Sequence, residues 1–407
     1  MRKNLTLGLF GFGVVGQGLY HVLEETHGIK AAIKKICVKD RNKKRSLPSE
    51  LFTFDRNDIL NNPAIDVVVE MIDDADAAFE IVKTALQNGK AVVTANKKML
   101  AENLEEIYRL QQQYGKPVLY EAAVCGAIPI LRNLEEYYDN DLITSIEGIF
   151  NGSTNYILTK VFEERKNYSE ALQQAQELGF AESDPSLDVK GFDAKYKLVI
   201  AITHTFGVFV KPAQIINFGI DKISDVDLKF AREKGYSIKL VVRAFKESNT
   251  VYALVAPQFV ESTNLLASVR NEYNAVIVQG AFSEKQLFVG KGAGSYPTGS
   301  AVLSDISALT YDYNYEYKKL NQEESNSFSN DAVVEVIVSF KDKSLVSPSD
   351  FEDFKGGYQG NGSQYMRGFV SLERLGTWSQ QDGISVILTP EFNLLTRPQL
   401  RLRQELV

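Results

Sequence analysis

Long apolar runs, cysteine and histidine are all scarce in this chain of 407 residues, and each scarcity excludes a class of protein. No apolar run approaches the roughly 20 residues of a membrane-spanning helix, and no signal-peptide core follows the first residues, so we expect no membrane partner. The two cysteines, Cys37 and Cys125, exclude a disulfide scaffold and favour a reducing cytoplasm. The histidines lack zinc-ligand spacing, and no long basic tract indicates a nucleic-acid partner.

The residues that are present are typical of globular domains, and the length predicts two or three of them. In the first third, short apolar runs alternate with helical segments, which predicts an α/β fold with a parallel, doubly wound sheet. We predict its strands at residues 5–10, 33–38, 65–70, 91–94 and 116–121. Helices and then β-rich runs up to residue 289 predict an α+β domain. After a polar stretch at 322–331, strands at 333–340 and 384–388 predict a small α+β terminal domain.

A glycine-rich loop follows the first predicted strand. Gly11, Gly13 and Gly16 form the pattern G-x-G-x-x-G between a strand and a helix, which is the context that dinucleotide binding requires. The first glycine permits a tight turn, the second lets backbone N–H groups approach a pyrophosphate, and the third allows close helix packing. Chance glycines in a strand–helix turn are the alternative, and the context favours a dinucleotide.

The end of the second predicted strand bears on the choice of nucleotide. Lys39, Arg41 and the basic residues 43–45 favour the 2′-phosphate of NADP. Asp40 could bind a free ribose instead and keeps NAD as an alternative. If these residues bind no nucleotide, the segment is simply a charged loop exposed to solvent.

An acid and a base are spaced four residues apart at a predicted helix start. Asp193 and Lys197 would therefore meet on one helical face, with Glu182 and Asp184 in the loop upstream. Carboxylates gathered around an amine suit a small zwitterionic substrate that needs proton transfer. A surface ion pair is the common alternative, and such pairs contribute little.

Five segments, in family order, resemble the homoserine dehydrogenase family. The similarity extends from about residue 7 to about residue 306, and the resemblance implies a Rossmann-type cofactor domain and hydride exchange between a nicotinamide cofactor and L-homoserine or L-aspartate 4-semialdehyde. The pathway implied is threonine, methionine and isoleucine biosynthesis. The matching segments are residues 92–97 (VVTANK), 121–130 (EAAVCGAIPI), 148–158 (GIFNGSTNYIL), 181–197 (AESDPSLDVKGFDAKYK) and 290–298 (GKGAGSYPT).

The resemblance also implies roles for individual residues. Lys197 matches the family's catalytic lysine, which is proposed to donate a proton to the carbonyl oxygen as hydride arrives, and Lys97 resembles a second active-site lysine that touches cofactor and substrate. Glu182, Asp188 and Asp193 match substrate contacts, of which Glu182 would bind the ammonium group.

For the cofactor, the resemblance implies contacts from Gly11, Phe12, Gly13, Val14, Val15, Gly16, Lys39, Thr94, Lys97 and Gly292. Glu121 resembles the acidic ligand of a monovalent cation site, with sodium as the usual ion. Backbone carbonyl groups of Val124, Gly126 and Ile128 would complete that site and brace the junction of two domains. The alternative is that Glu121 caps or pairs locally.

Two departures from the family pattern stand out. Asp73 and Asp74 replace two glycines that usually follow the third strand, which affects the expected contacts on the nicotinamide side. Residues 332–407 lack the D-x-P-G-V-L turn of the regulatory ACT domains found in many relatives. A diverged ACT-like domain and a structural or oligomer-forming appendage are the two interpretations of this segment.

The chain is thus expected to contain three domains: residues 1–125, joined again by about 290–321, for the dinucleotide; 126–289 for substrate binding, catalysis and dimerisation; and 332–407 as the small terminal domain. We expect a cytoplasmic homodimer or homotetramer with no kinase domain ahead of the first strand. A dehydrogenase for another short amino alcohol and a non-catalytic dinucleotide-binding sensor are the alternative functions.

Overall fold

The structure, a computed structural model, describes residues 3–140, 142–360 and 363–405. The chain forms two compact units. Unit 1 contains Met1–Asp139, Thr203–Phe209 and Gly290–Asn321, and unit 2 contains Asn140–Ile202, Val210–Val289 and Gln322–Val407. No helix within the described ranges combines the length and apolarity needed to cross a bilayer.

The secondary-structure elements, in chain order, have the following bounds. The strands are β1 (Leu5–Phe10), β2 (Ala31–Cys37), β3 (Phe52–Thr53), β4 (Val67–Glu70), β5 (Ala91–Thr94), β6 (Val118–Leu119), β7 (Ile143–Ile149), β8 (Ile216–Asn217), β9 (Ser237–Glu247), β10 (Thr250–Val260), β11 (Tyr273–Gly280), β12 (Glu284–Lys291), β13 (Ser327–Phe328), β14 (Val333–Phe340), β15 (Asp353–Gly360), β16 (Ser363–Ser371), β17 (Ile384–Leu388) and β18 (Leu394–Leu395). The helices are α1 (Val14–Glu24), α2 (Asn57–Leu60), α3 (Ala75–Gln87), α4 (Lys97–Tyr114), α5 (Ile130–Arg132), α6 (Gly152–Glu163), α7 (Tyr168–Glu177), α8 (Ser186–Val189), α9 (Phe192–Phe206), α10 (Asp225–Lys234), α11 (Ser295–Leu309), α12 (Leu372–Ser379) and α13 (Arg397–Glu405).

Unit 1 is built on a parallel sheet with the strand order β3-β2-β1-β4-β5-β6. Strands β4 and β5 are almost entirely buried, which explains why they occur in the sequence as continuous apolar runs. The strand order reverses direction between β1 and β4, and open α/β sheets bind ligands beside the carboxyl ends of the strands at such a point. The predicted doubly wound α/β fold is confirmed.

The five strands predicted for this sheet are present, with ends shifted by up to two residues. The sequence interpretation missed β3, which pairs with β2 through only Phe52 and Thr53. A two-residue edge strand is too short to produce an apolar period, so no pattern in the sequence could have indicated it.

Unit 2 contains, within the described residues, a mixed sheet of twelve strands. Its main path runs β12-β11-β7-β9-β10-β17-β14-β16-β15, and the long antiparallel pair β9–β10 lies in the middle. The terminal strands β14 and β17 occur at the predicted residues, and β17 pairs with β10. Leu254 on β10 shares a hydrophobic core with Val336 on β14 and Trp378 on α12. The proposed domain boundaries and the ACT-like character of residues 332–407 stay predictions.

Candidate active site

The loop between β1 and α1 has the geometry of a phosphate cradle. Gly11 has a φ of +93°, and a Cβ atom there would lie 2.7 Å from the carbonyl oxygen of Met71. Gly13 precedes α1, no side chain caps this helix, and a Cβ atom on Gly13 would have no neighbour within 4 Å. A Cβ atom on Gly16 would lie 2.8 Å from the carbonyl oxygen of Gly11. Uncapped N–H groups beside open space fit a bound pyrophosphate.

Helix α1 is held in place by a contact that the sequence interpretation missed. A Cβ atom on Gly18 would lie only 2.0 Å from the carbonyl oxygen of Ser295, and one on Gly299 would lie 2.5 Å from the backbone nitrogen of Leu19. Helices α1 and α11 can therefore approach this closely only with glycine at both positions. A glycine inside a predicted helix was the available signal.

The basic loop after β2 is ordered by its own side chains. Asp40 accepts a hydrogen bond from the backbone N–H of Asn42 at 2.8 Å, and the Arg45 guanidinium donates to the carbonyl oxygen of Asp40 at 2.7 Å. The Arg41 guanidinium lies 4.6 Å from the centre of the Phe54 ring. The Asp40 carboxylate thus supports the turn.

A closed ring of hydrogen bonds joins the loops that follow β4 and β5. The Glu70 carboxylate accepts from the backbone N–H of Ile72 at 2.7 Å and from the Thr94 hydroxyl at 2.5 Å. The Asn96 side chain donates to the carbonyl oxygen of Ile72 at 3.0 Å, and the Asn96 backbone N–H donates to the Thr94 hydroxyl oxygen at 3.1 Å. Asn96 also caps α4, whose first residue is Lys97.

The two acids that depart from the family pattern lie at the start of α3. Asp74 is the N-cap of this helix and accepts from the backbone N–H of Ala77 at 3.0 Å. An aspartate at this position stabilises the helix end, which gives one of the two acids a structural role. Burial raises the pKa of Glu70 to about 7, and the negative charge of Asp73 adds to this rise.

Glu121 is buried, and both of its carboxylate oxygens accept backbone hydrogen bonds, from Leu131 at 2.7 Å and from Arg132 at 2.9 Å. Burial nevertheless raises the pKa of Glu121. Asp305 accepts from the backbone N–H of Glu121 at 2.8 Å, and burial raises its pKa as well. Both carboxylate oxygens thus accept from the backbone of the segment that begins α5, and the cation site at Glu121 stays a prediction.

The turn after Glu121 lies against the segment that contains Gly292. The backbone N–H of Ala127 donates to the carbonyl oxygen of Lys291 at 3.1 Å, and a Cβ atom on Gly126 would lie 2.5 Å from the carbonyl oxygen of Gly292. The carbonyl oxygens of Val124 and Gly126 accept no hydrogen bond from the described residues. Their lone pairs therefore fit a hard cation. Clusters of three or more His, Cys, Asp or Glu side chains that could hold a metal do not occur in the described ranges.

In unit 2, the predicted acid–base pair is buried at the start of α9. The Lys197 ammonium lies 2.8 Å from the Asp193 carboxylate and donates to the carbonyl oxygen of Phe150 at 2.8 Å. Asp193 is 3% exposed and Lys197 is 7% exposed, so the interpretation as a surface ion pair is wrong. An ion pair withdrawn from water in this way needs further hydrogen bonds to be stable.

Asn151 supplies those hydrogen bonds, and the sequence interpretation did not anticipate its contacts with the two carboxylates. Its amide nitrogen donates to Asp188 at 2.6 Å and to Asp193 at 2.8 Å, while its oxygen accepts from the backbone N–H of Thr154 and caps α6. Asn151 begins the N-G-S-T-N segment quoted for the resemblance, which was the available signal. One amide thus holds two of the three predicted substrate carboxylates.

Glu182 is the predicted substrate residue that this cluster does not include. It lies on an exposed loop after α7, where its backbone carbonyl oxygen accepts from Gln176 at 2.9 Å. Its carboxylate makes no ion pair or hydrogen bond to the described residues. Its proposed contact with the substrate stays a prediction.

Comparison with known proteins agrees with these features. The model of the family "Homoserine dehydrogenase" matches residues 129–307, and that of "Homoserine dehydrogenase, NAD binding domain" matches residues 11–121. The homoserine dehydrogenase of Bacillus subtilis (strain 168) is 39% identical over 316 residues, which cover 75% of this chain and 73% of the relative.

Solved structures are similar as well. A homoserine dehydrogenase from Thiobacillus denitrificans has a TM-score of 0.83 and 28% identity, with 96% of this chain and 99% of that chain covered. A hyperthermophilic archaeal homoserine dehydrogenase mutant in complex with NADPH has a TM-score of 0.67 and 26% identity, with 77% of this chain and 100% of that chain covered. The chain therefore belongs to the homoserine dehydrogenase family of NAD(P)-dependent oxidoreductases.

Proposed function

We propose that this enzyme interconverts L-homoserine and L-aspartate 4-semialdehyde in the synthesis of threonine, methionine and isoleucine, with Lys197 as the proton donor and acceptor. The observation that carries the proposal is the buried lysine held between a carboxylate and a carbonyl oxygen at the start of α9. Developing alkoxide charge requires a positioned acid or cation, and Lys197 meets that requirement.

The contacts of Lys197 support this role. An ammonium group has three N–H donors, and the Asp193 carboxylate and the Phe150 carbonyl oxygen engage two of them. The third can be directed at the reacting oxygen of the substrate. When bound, the nicotinamide supplies or accepts the hydride. Lys97, at the first position of α4, would contact both cofactor and substrate.

The carboxylates of Asp188 and Asp193 would contact the substrate, and Glu182 would bind its ammonium group. Asn151 holds the first two through a neutral amide, which leaves their negative charge in place to attract a cation. Asp193 has the additional task of orienting Lys197.

We propose that the cofactor is bound by the loop from Gly11 to Gly16, including Phe12, Gly13, Val14 and Val15, and by Lys39, Thr94, Lys97 and Gly292. NADP is the preferred form and NAD the alternative. The cations around Lys39 support this preference, as does the NADPH complex of the archaeal relative.

We also propose a monovalent cation, sodium in the first place, at the turn formed by Glu121, Val124, Gly126 and Ile128. Among the described residues, none donates a hydrogen bond to the carbonyl oxygens of Val124 and Gly126, which supports this site. The enzyme would be a cytoplasmic homodimer or homotetramer. The domains would be residues 1–125 with 290–321 for the cofactor, 126–289 for substrate and dimerisation, and 332–407 as a regulatory or structural addition.

The test is reduction of NADP⁺, and separately of NAD⁺, by purified enzyme with L-homoserine, followed by absorbance. Lys195 provides a matched control, since it lies on the same helix and donates to the Asn217 side chain instead. We expect Lys197→Ala to lose turnover but bind nucleotide, and Lys195→Ala to keep turnover. Nucleotide binding by the unaltered enzyme without turnover would contradict the proposal.

A further inference from the structure

Glu70 lies at the end of β4, beside the point where the strand order of the parallel sheet reverses. It belongs to the hydrogen-bonded ring that also contains Ile72, Thr94 and Asn96. Two of the ring's four residues, Thr94 and Asn96, lead directly into α4 and Lys97. The ring thus connects the loop after β4 to a lysine proposed to contact cofactor and substrate.

The environment of Glu70 is unusual for a carboxylate. The side chain is 0% exposed, and its partners are a neutral hydroxyl and a backbone N–H group. The charged group that acts on it from the neighbouring loop is Asp73, which has the same sign. Burial raises the pKa of Glu70 to about 7, although its two hydrogen bonds oppose that rise. Burying a carboxylate without a counter-charge in contact costs folding free energy, which its two hydrogen bonds offset only in part.

We propose that Glu70 is a positioning residue whose ionised carboxylate holds Thr94 and Lys97 in the arrangement that binds the nicotinamide cofactor. The inference rests on the proposed function, because the roles of Thr94 and Lys97 as cofactor contacts are part of that proposal. Nothing in the sequence motifs assigns Glu70 a role.

The ionised and protonated forms of Glu70 require different donors and acceptors in the ring. The carboxylate accepts from both Ile72 and Thr94, and the Thr94 oxygen remains available to accept from Asn96. A protonated carboxyl group has an O–H that must donate, and it faces a hydroxyl that already donates to it. Protonation therefore forces the Thr94 hydroxyl to turn or separates the two loops. A turned hydroxyl keeps the bond from Asn96 but no longer donates to Glu70, which weakens the ring, whereas separation of the two loops moves the start of α4.

The test measures nucleotide affinity against pH for Glu70→Gln and for a matched control, Asp66→Asn. Asp66 is a carboxylate just before the opposite end of the same strand, where it accepts from the backbone N–H of Thr6 at 2.7 Å. The Kd of NADP⁺ and of NAD⁺ is measured by fluorescence between pH 6 and pH 8, without substrate. A group with a pKa of about 7 changes from roughly one tenth to nine tenths ionised over that range.

We expect the affinity of the unaltered enzyme and of Asp66→Asn to rise up to about tenfold over this range, as the ionised fraction does. Glu70→Gln, which mimics the neutral group, should bind weakly with no such rise. Glu70→Asp keeps the charge but is too short to reach both partners, so it should bind weakly throughout and retain a pH-dependent rise. A rise in Glu70→Gln equal to that of the unaltered enzyme would overturn the proposal.

A second measurement needs no ligand. Hydrogen exchange of the backbone amides of Ile72 and Met99 reports on the ring and on the capped start of α4. We expect Glu70→Gln to accelerate both, and unchanged exchange would contradict the positioning role. Because neither measurement requires turnover, failure of the homoserine assay would reject the proposed reaction while leaving the result for Glu70 readable.

Discussion

Replacing Lys197 with methionine tests stability and catalysis at the same residue. Methionine keeps an unbranched apolar chain but removes the ammonium group, so Asp193 remains buried with its charge uncompensated. Breaking a buried ion pair costs about 3–5 kcal/mol, and we expect the low end because Asn151 still donates to Asp193 at 2.8 Å. At about 2–4 °C per kcal/mol for a domain of this size, the Tm should fall by roughly 6–12 °C.

Adding Asp193→Asn to this variant separates the two effects. The double variant replaces the charged pair with neutral groups, so most of the lost stability should return. Turnover should not return, because general acid–base catalysis contributes about 10²- to 10⁴-fold. That loss corresponds to roughly 3–5 kcal/mol of transition-state stabilisation.

The assays are thermal unfolding and homoserine-dependent reduction of NADP⁺ for each variant. The control is Lys229→Met, which breaks an exposed pair with Glu233 on α10 and should cost less than about 1 kcal/mol. If the double variant is as unstable as Lys197→Met, the uncompensated charge is not the cause. If Lys197→Met retains turnover, Lys197 is not the proton donor.

Four further variants test separate features. Gly13→Ala should weaken nucleotide binding with little change in Tm, because the added Cβ atom would meet no protein atom within 4 Å. Gly18→Ala should lower the Tm, because the added Cβ atom would lie 2.0 Å from a backbone oxygen. Burial alone would raise the pKa of Glu135, but the His204 imidazole, 2.6 Å away, lowers it below the ordinary value. Glu135→Gln should therefore be less stable than the unaltered enzyme at neutral pH, and urea titrations should show this difference shrink as the pH falls below the ordinary glutamate pKa of about 4.3. Lys39→Ala should weaken NADP⁺ binding by up to about fivefold in direct titrations, the effect of one exposed charge, and leave NAD⁺ binding unchanged. Equal loss for both nucleotides would contradict the role of Lys39.

The sequence was informative where a function depends on residues that are close along the chain. The Gly11–Gly16 pattern and the four-residue spacing of Asp193 and Lys197 are local, so strand, turn and helix geometry follow from them directly. The same applies to β1 and β5, whose apolar runs predicted their bounds to the residue. The sequence also showed that Asp74 departs from the family pattern. Its role as a helix cap became evident only from the hydrogen bond that it accepts from the backbone N–H of Ala77.

What the sequence by itself determined is therefore the α/β class, the positions of the main strands, the glycine loop and the identity of the acid–base pair. Only the tertiary structure decided that this pair is buried, that Asn151 holds Asp188 across 37 residues, and that β17 joins the sheet of β10. It also decided that Glu70 closes a ring with Thr94, 24 residues away. The physical reason is that spacing along a chain sets local geometry, whereas burial and long-range partners depend on how distant segments pack.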